Sequence, residues 1–131
     1  MEYWRKIWRE ALLPRINNHV LQQLQQALEC FDQELTTKTT VVAGDSENPI
    51  EKACLIGYIG WKQNHLNTAS AVEEFFQQTC ADIDFQREEL AATSYLTNWY
   101  DNTPWLTVRN ELMREIARAI HQRSHSCSVF P

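Results

Sequence analysis

Three glycines in 131 residues, where an average protein carries about 7%, leave this chain few places for backbone of positive φ. Glycine-rich phosphate loops, multi-turn β-sandwiches, collagen-like repeats and flexible linkers are therefore poor descriptions of it. Apolar residues instead recur three and four positions apart along most of the chain, the spacing of amphipathic helices. The predicted fold class is all-α, an irregular bundle of five or six helices; the alternative is α+β, with a small hairpin from residues 36–43 and 53–61. The length and a 44% hydrophobic content suit a single domain, expected over residues 1–123, with a flexible tail at 124–131. A chain of this size buries roughly two thirds of its unfolded surface, so no disulfide or metal is needed to hold it.

Trp4, Ile7, Trp8, Ala11 and Leu12 fall on one helical face, and Pro14 should break or kink that helix. Leu21, Leu24, Leu28, Phe31 and Leu35 form a short heptad seam, predicting a second helix to about Leu35. Residues 36–47 carry β-branched side chains without a helical stripe and read as a loop. Asn48-Pro49-Ile50-Glu51 has the chemistry of a helix start. The run Ala53 to Trp61 is apolar on nearly every side and should be the most buried element, with Gly57 and Gly60 admitting a close neighbour. Ser70-Ala-Val-Glu73 reads as a capping box opening a helix with Val72, Phe75, Phe76, Cys80 and Ile83 inward. Asp84 should cap the next, with Phe85, Ala92, Tyr95, Leu96 and Trp99 inward. Thr103-Pro104 should start the last, whose stripe is Trp105, Val108, Leu112, Ile116, Ala119 and Ile120. The predicted core is Leu24, Leu28, Phe31, Ile56, Ile59, Phe76, Leu96, Trp99, Leu112 and Ile116.

The net charge of −5 is segregated. Residues 1–28 sum to +2, residues 29–104 to −9, and residues 105–131 to +2. Packing the first and last helices side by side would make one flank basic and the rest acidic. Charged residues among the first thirteen exclude the uncharged core of a secretory signal, and the longest apolar run, nine residues, is far short of the about 20 of a membrane span. Four widely spaced cysteines without a CxxC pair read as free, buried thiols, and the expected compartment is the cytoplasm.

Tyr3, Trp4, Arg5, Lys6, Trp8 and Arg9 combine aromatic and basic side chains on one short helix. Such a helix can dock into a partner groove or lie on an anionic membrane surface, or it can fold onto its own core. The seam at residues 21–35 could serve a homodimer, although two heptads fall short of an autonomous coiled coil. Arg109 sits inside the apolar stripe of the last helix and needs a partner, such as Asp101, because a lone buried charge costs several kcal/mol. Arg114, Arg118, His121 and His125 share the opposite, solvent face. His121-x-x-x-His125 with nearby Cys127 has metal-ligand spacing but lacks a full ligand set, so no metal or cofactor is expected. The acidic pairs Glu73-Glu74 and Glu88-Glu89 come without the Glu-x-x-His pattern of a di-metal bundle.

Arg114 and His121, with six residues between them, resemble the Arg-x(4–6)-His element of HEPN ribonucleases, small helical bundles carrying that element late in the chain. The resemblance implies an Arg114 that stabilises phosphorane charge and a His121 that moves protons. The polar residue that directly follows the arginine in many members is here Glu115, an unfavourable charge beside a phosphate. The likeness rests on two residues and identifies no family. The preferred reading is a non-catalytic protein interaction module, an adaptor, regulatory or assembly factor. It would bind an unidentified protein through Tyr3, Trp4, Arg5, Trp8, Arg9, Arg114 and Arg118. The alternatives are the helical ribonuclease and a peripheral membrane protein; overall acidity disfavours double-stranded DNA.

Overall fold

Pro14 cannot donate an amide, and the chain reorganises its hydrogen bonds on approaching it. In the computed structural model, which describes residues 1–30, 34–36, 41–42 and 50–128, with backbone alone at 41–42 and 126–128, helix α1 (Tyr3–Ile7) widens into a π-helical turn (Trp8–Leu12), where Leu13 N–H reaches back to the Trp8 carbonyl. A 3₁₀ turn (Leu13–Arg15) holds Pro14 near its start, and extended Ile16 ends the coil. The predicted break is present. Asn17 then opens α2 (Asn18–Glu29), its Oδ1 accepting from Val20 N at 2.8 Å.

Helix α2 stops at Glu29, short of the predicted Leu35. Leu35 instead bridges Ala53, with Thr36 N donating to Ala53 O at 2.8 Å and Ala53 N to Glu34 O at 2.9 Å. Strands β1 (Val41–Val42) and β2 (Lys52–Ala53) pair antiparallel over two residues. Among the described residues this ladder is all that corresponds to the hairpin alternative, since 55–63 is helical; the architecture is an all-α irregular bundle, with six α-helices in the described residues. The helix start expected at Asn48-Pro49 falls outside the described residues, and Glu51 precedes a strand. α3 (Leu55–Gln63) begins later, with Cys54 at its N-cap.

Every residue from Leu55 to Gly60 is buried, as the continuous apolar run predicts. Both glycines sit against α4: a Cβ on Gly60 would stand 2.3 Å from Phe75 Cδ1, and one on Gly57 would stand 3.1 Å from Val72 Cγ1. Helix α4 (Ala69–Arg87) is capped by Thr68, whose hydroxyl accepts from Ala71 N at 3.4 Å, two residues ahead of the predicted capping box. It runs through Asp84 and ends in a Schellman turn: Glu88 is left-handed at φ 55°, Glu89 N reaches Asp84 O and Glu88 N reaches Phe85 O, each at 3.1 Å. Asp84 does tie down the next helix, but from within α4. Its Oδ1 accepts Thr93 N at 2.9 Å and the Thr93 hydroxyl at 3.1 Å, just ahead of α5 (Ser94–Asn102).

Helix α6 (Trp105–Ser128) starts after Pro104, whose carbonyl accepts from Thr107 and Val108, and continues through the expected tail to Ser128. It buries Val108, Leu112, Ile116 and Ala119. Helix α1 packs on α5, α2 on α6 and α3 on α4. Of the predicted core, Leu24, Leu28, Ile56, Ile59, Leu96, Leu112 and Ile116 are buried, Phe76 and Trp99 are partly buried, and Phe31 lies outside the described residues. Cys54 is buried; Cys30 is exposed, against expectation, because α2 has ended beneath it. No helix among the described residues is long and apolar enough to cross a membrane.

Candidate interaction surface

The aromatic face of the first helix points into the molecule. Trp8 is fully buried and Trp4 is 4% exposed. The Trp4 ring lies on Trp99 of α5 at 3.6 Å between centroids and 6° between planes, with the Arg5 guanidinium 4.6 Å from the Trp4 ring centre. Burial of Trp4 and Trp8 corrects the docking surface expected there, for lipid and for protein alike: these two residues are core. The Trp8 Nε1–H has no acceptor among the described residues.

Arg5 of α1 and Arg9 of the π-helical turn reach toward α6. Arg9 Nε and Nη2 meet the two carboxylate oxygens of Glu115 at 2.7 and 2.8 Å, and Arg5 Nη1 donates to the same carboxylate at 2.8 Å. Arg5 Nη2 also reaches Glu111 at 3.0 Å. Burial pushes the Glu115 carboxyl up, but hydrogen bonds and charge from Arg9 and Arg5 outweigh it and hold it below the ordinary value. Ion pairs tie the first helix and its π-helical continuation to the last, so Arg5 and Arg9 are engaged by carboxylates and make no free basic flank. Arg114 and Arg118 remain exposed, the former 3.4 Å from Glu111. Arg109 is placed inside the bundle surface as predicted, and it caps α2: Nε donates to Leu28 O at 2.6 Å and Nη2 to Glu29 O at 3.3 Å. At the other end of α6, Arg123 donates to Leu13 O at 3.0 Å and Asn18 Oδ1 at 2.8 Å.

His121 and His125 are exposed and stacked, 5.9 Å between centroids, and no group of three metal-ligating side chains occurs among the described residues. Cys127 lies outside the described side chains. The seam residues Leu21, Leu24, Leu28 and Leu35 are buried within the chain itself. A cleft of about 360 Å³ between α2 and α6 is lined by Asn18, Gln22, Ile120, Arg123 and Ser124.

Apart from Met1 and Leu106, the large apolar side chains left in solvent among the described residues belong to the α4–α5 segment or touch it. Phe85 is 84% exposed and Leu90 97%, on either side of the turn ending α4; Tyr95 on α5 is 46% exposed and Tyr3 37%. Tyr3 and Tyr95 touch, with centroids 4.2 Å apart, and the Tyr3 hydroxyl donates to Glu89. That bond to a carboxylate raises the Tyr3 pKa above its usual value of 10.0. The corner therefore joins α1, α4 and α5 through one contact set. Phe85 and Tyr95 had been predicted inward, on a helix starting at Asp84. Because α4 instead runs on to Arg87, Phe85 stays in the phase of α4's outer face. Leu90 belongs to no apolar stripe, and that isolation was the available signal.

No protein-family model matches the chain, and neither curated proteins nor solved structures give a significant match to it.

Proposed function

We infer that this chain is a non-catalytic protein interaction module whose contact surface is the α4–α5 corner, with Tyr3 its contribution from the first helix. The observation that carries this reading is the exposure of Phe85 and Leu90, at 84% and 97%, with Glu89, next to Leu90 in the chain, bound to Tyr3 of the Tyr3–Tyr95 pair. Leaving a phenylalanine and a leucine in water forgoes roughly 2 kcal/mol of burial each, and aromatic side chains are favoured at the centres of interfaces. The test is capture of partners from the native cell by the wild-type chain and by Phe85→Ser/Leu90→Ser. Loss of a specific partner with an unchanged melting curve supports the reading; identical capture by both chains sinks it.

The ribonuclease reading has one observation in its favour. Glu115 is turned inward onto Arg5 and Arg9, away from the face that carries Arg114 and His121. RNA cleavage by the wild-type chain, abolished by His121→Ala, is the result it requires.

A further inference from the structure

The apolar corner is locally acidic. Residues 82–90 contain four carboxylates, of which Asp84 is hydrogen-bonded to Thr93, against one base, Arg87; Arg15 reaches Gln86 at 2.9 Å from the N-terminal segment. Arg87 is turned onto Glu10 at 3.2 Å and offers no free charge to a partner. Asp82 lies one helical turn before Phe85 on the same face of α4, and Glu88 is exposed in the turn between Phe85 and Leu90. Glu89 is bound to Tyr3. Lys6, 6.0 Å from the Tyr3 ring, stands at the edge by α1.

We propose that the α4–α5 corner is a docking surface for a basic amphipathic helix of a partner protein. This rests on the interaction-module reading above and supplies its partner chemistry. Phe85 and Leu90 project as knobs, which a facing helix receives in holes formed by its own apolar side chains. Asp82 and Glu88 flank those knobs and select lysine or arginine along the edges of the incoming stripe, setting orientation and association rate. An anionic membrane is repelled by the same carboxylates. A second copy of this chain would have to bring its own basic residues to the corner. Its exposed pair, Arg114 and Arg118, lies on α6, and a self-contact made through them would be heterologous and would propagate instead of closing.

The experiment uses a fluorescein-labelled 18-residue helix with leucine at i, i+3, i+4 spacing and lysine elsewhere, and a counterpart with glutamate in place of lysine. Fluorescence anisotropy should show the lysine peptide binding the full chain at least tenfold more tightly. Phe85→Ser/Leu90→Ser should lose tenfold or more, and Asp82→Lys/Glu88→Lys should reverse the preference between peptides. Glu73→Lys/Glu74→Lys, the same charge change about three turns away, should leave it intact. Equal binding of both peptides that still depends on Phe85 and Leu90 overturns the basic partner while sparing the docking surface. Binding indifferent to Phe85 and Leu90 overturns the docking surface itself. Self-association removed by Leu90→Ser, or tighter binding to anionic phospholipid vesicles than to the lysine peptide, would likewise overturn the proposal.

Discussion

Arg9 and Glu115 form a side-on pair in which Nε and Nη2 each face one carboxylate oxygen, at 2.7 and 2.8 Å, and Glu115 is 3% exposed. A buried carboxylate held this way fixes the first helix against the last. Its loss leaves two partly buried guanidinium groups without their shared partner. Glu115→Ala should cost about 2–4 kcal/mol in urea denaturation, somewhat less than a fully buried pair because both arginines keep some contact with water.

The same pair gives a pH dependence of known sign. Since the folded-state pKa of Glu115 lies below the ordinary 4.5, its contribution is complete above that value and is lost as pH falls through the lower, folded one. The stability gap between wild type and Glu115→Gln should therefore be largest at neutral pH and shrink on acidification below pH 4.5. A gap that widened in acid would contradict this assignment.

Gly60 faces the ring of Phe75, and a methyl group there would sit 2.3 Å from Cδ1 and 2.7 Å from Cγ. The near end of the ring cannot swing aside cheaply. Gly60→Ala should destabilise by about 1–3 kcal/mol despite alanine's better helix propensity. At Gly57 the nearest contacts are 3.1 and 3.2 Å, so Gly57→Ala should lose less. Thermal melts of the two variants would rank them.

Glu88 ends α4 at φ 55°, where a Cβ costs about 1–2 kcal/mol and glycine is at ease. Glu88→Gly should raise stability by about 0.5–1 kcal/mol, read as a higher urea midpoint with unchanged slope.

Trp8 combines complete burial with an indole N–H that has no acceptor among the described residues. Trp8→Phe gives up volume but removes an unpaired donor, whose desolvation costs about 1–3 kcal/mol. The net change should stay within about 1 kcal/mol, whereas Trp8→Ala should lose about 3–5 kcal/mol. Calorimetry on both variants separates the two contributions.

The helical stripes were legible because burial writes a period directly into the sequence. Val108, Leu112 and Ile116 on α6, and the run from Leu55 to Gly60 on α3, are buried where their patterns place them. Capping chemistry was ambiguous: Thr68 and Ser70 offer the same hydroxyl, and only the backbone geometry selects Thr68. The end of α2 was hidden because Leu35 keeps the heptad phase while serving a bridge to Ala53. The tryptophan face of α1 was legible as a surface that must be covered, but not what covers it, since Trp99 lies 95 residues away. The exposed corner was misread for a related reason. Phe85 and Tyr95 fit an inward stripe only if a helix starts at Asp84, and the left-handed residues Glu88 and Ala91 that separate α4 from α5 are not glycines.

Arg109 and Arg123 each donate to main-chain carbonyls of the N-terminal third, at opposite ends of α2. Fourteen positions at 1.5 Å rise separate them by about 21 Å, so the pair works like two bolts through one plate and sets α2 and α6 antiparallel in a single register. As the chain emerges from the ribosome, Trp4 must wait 95 residues for the Trp99 ring that covers it.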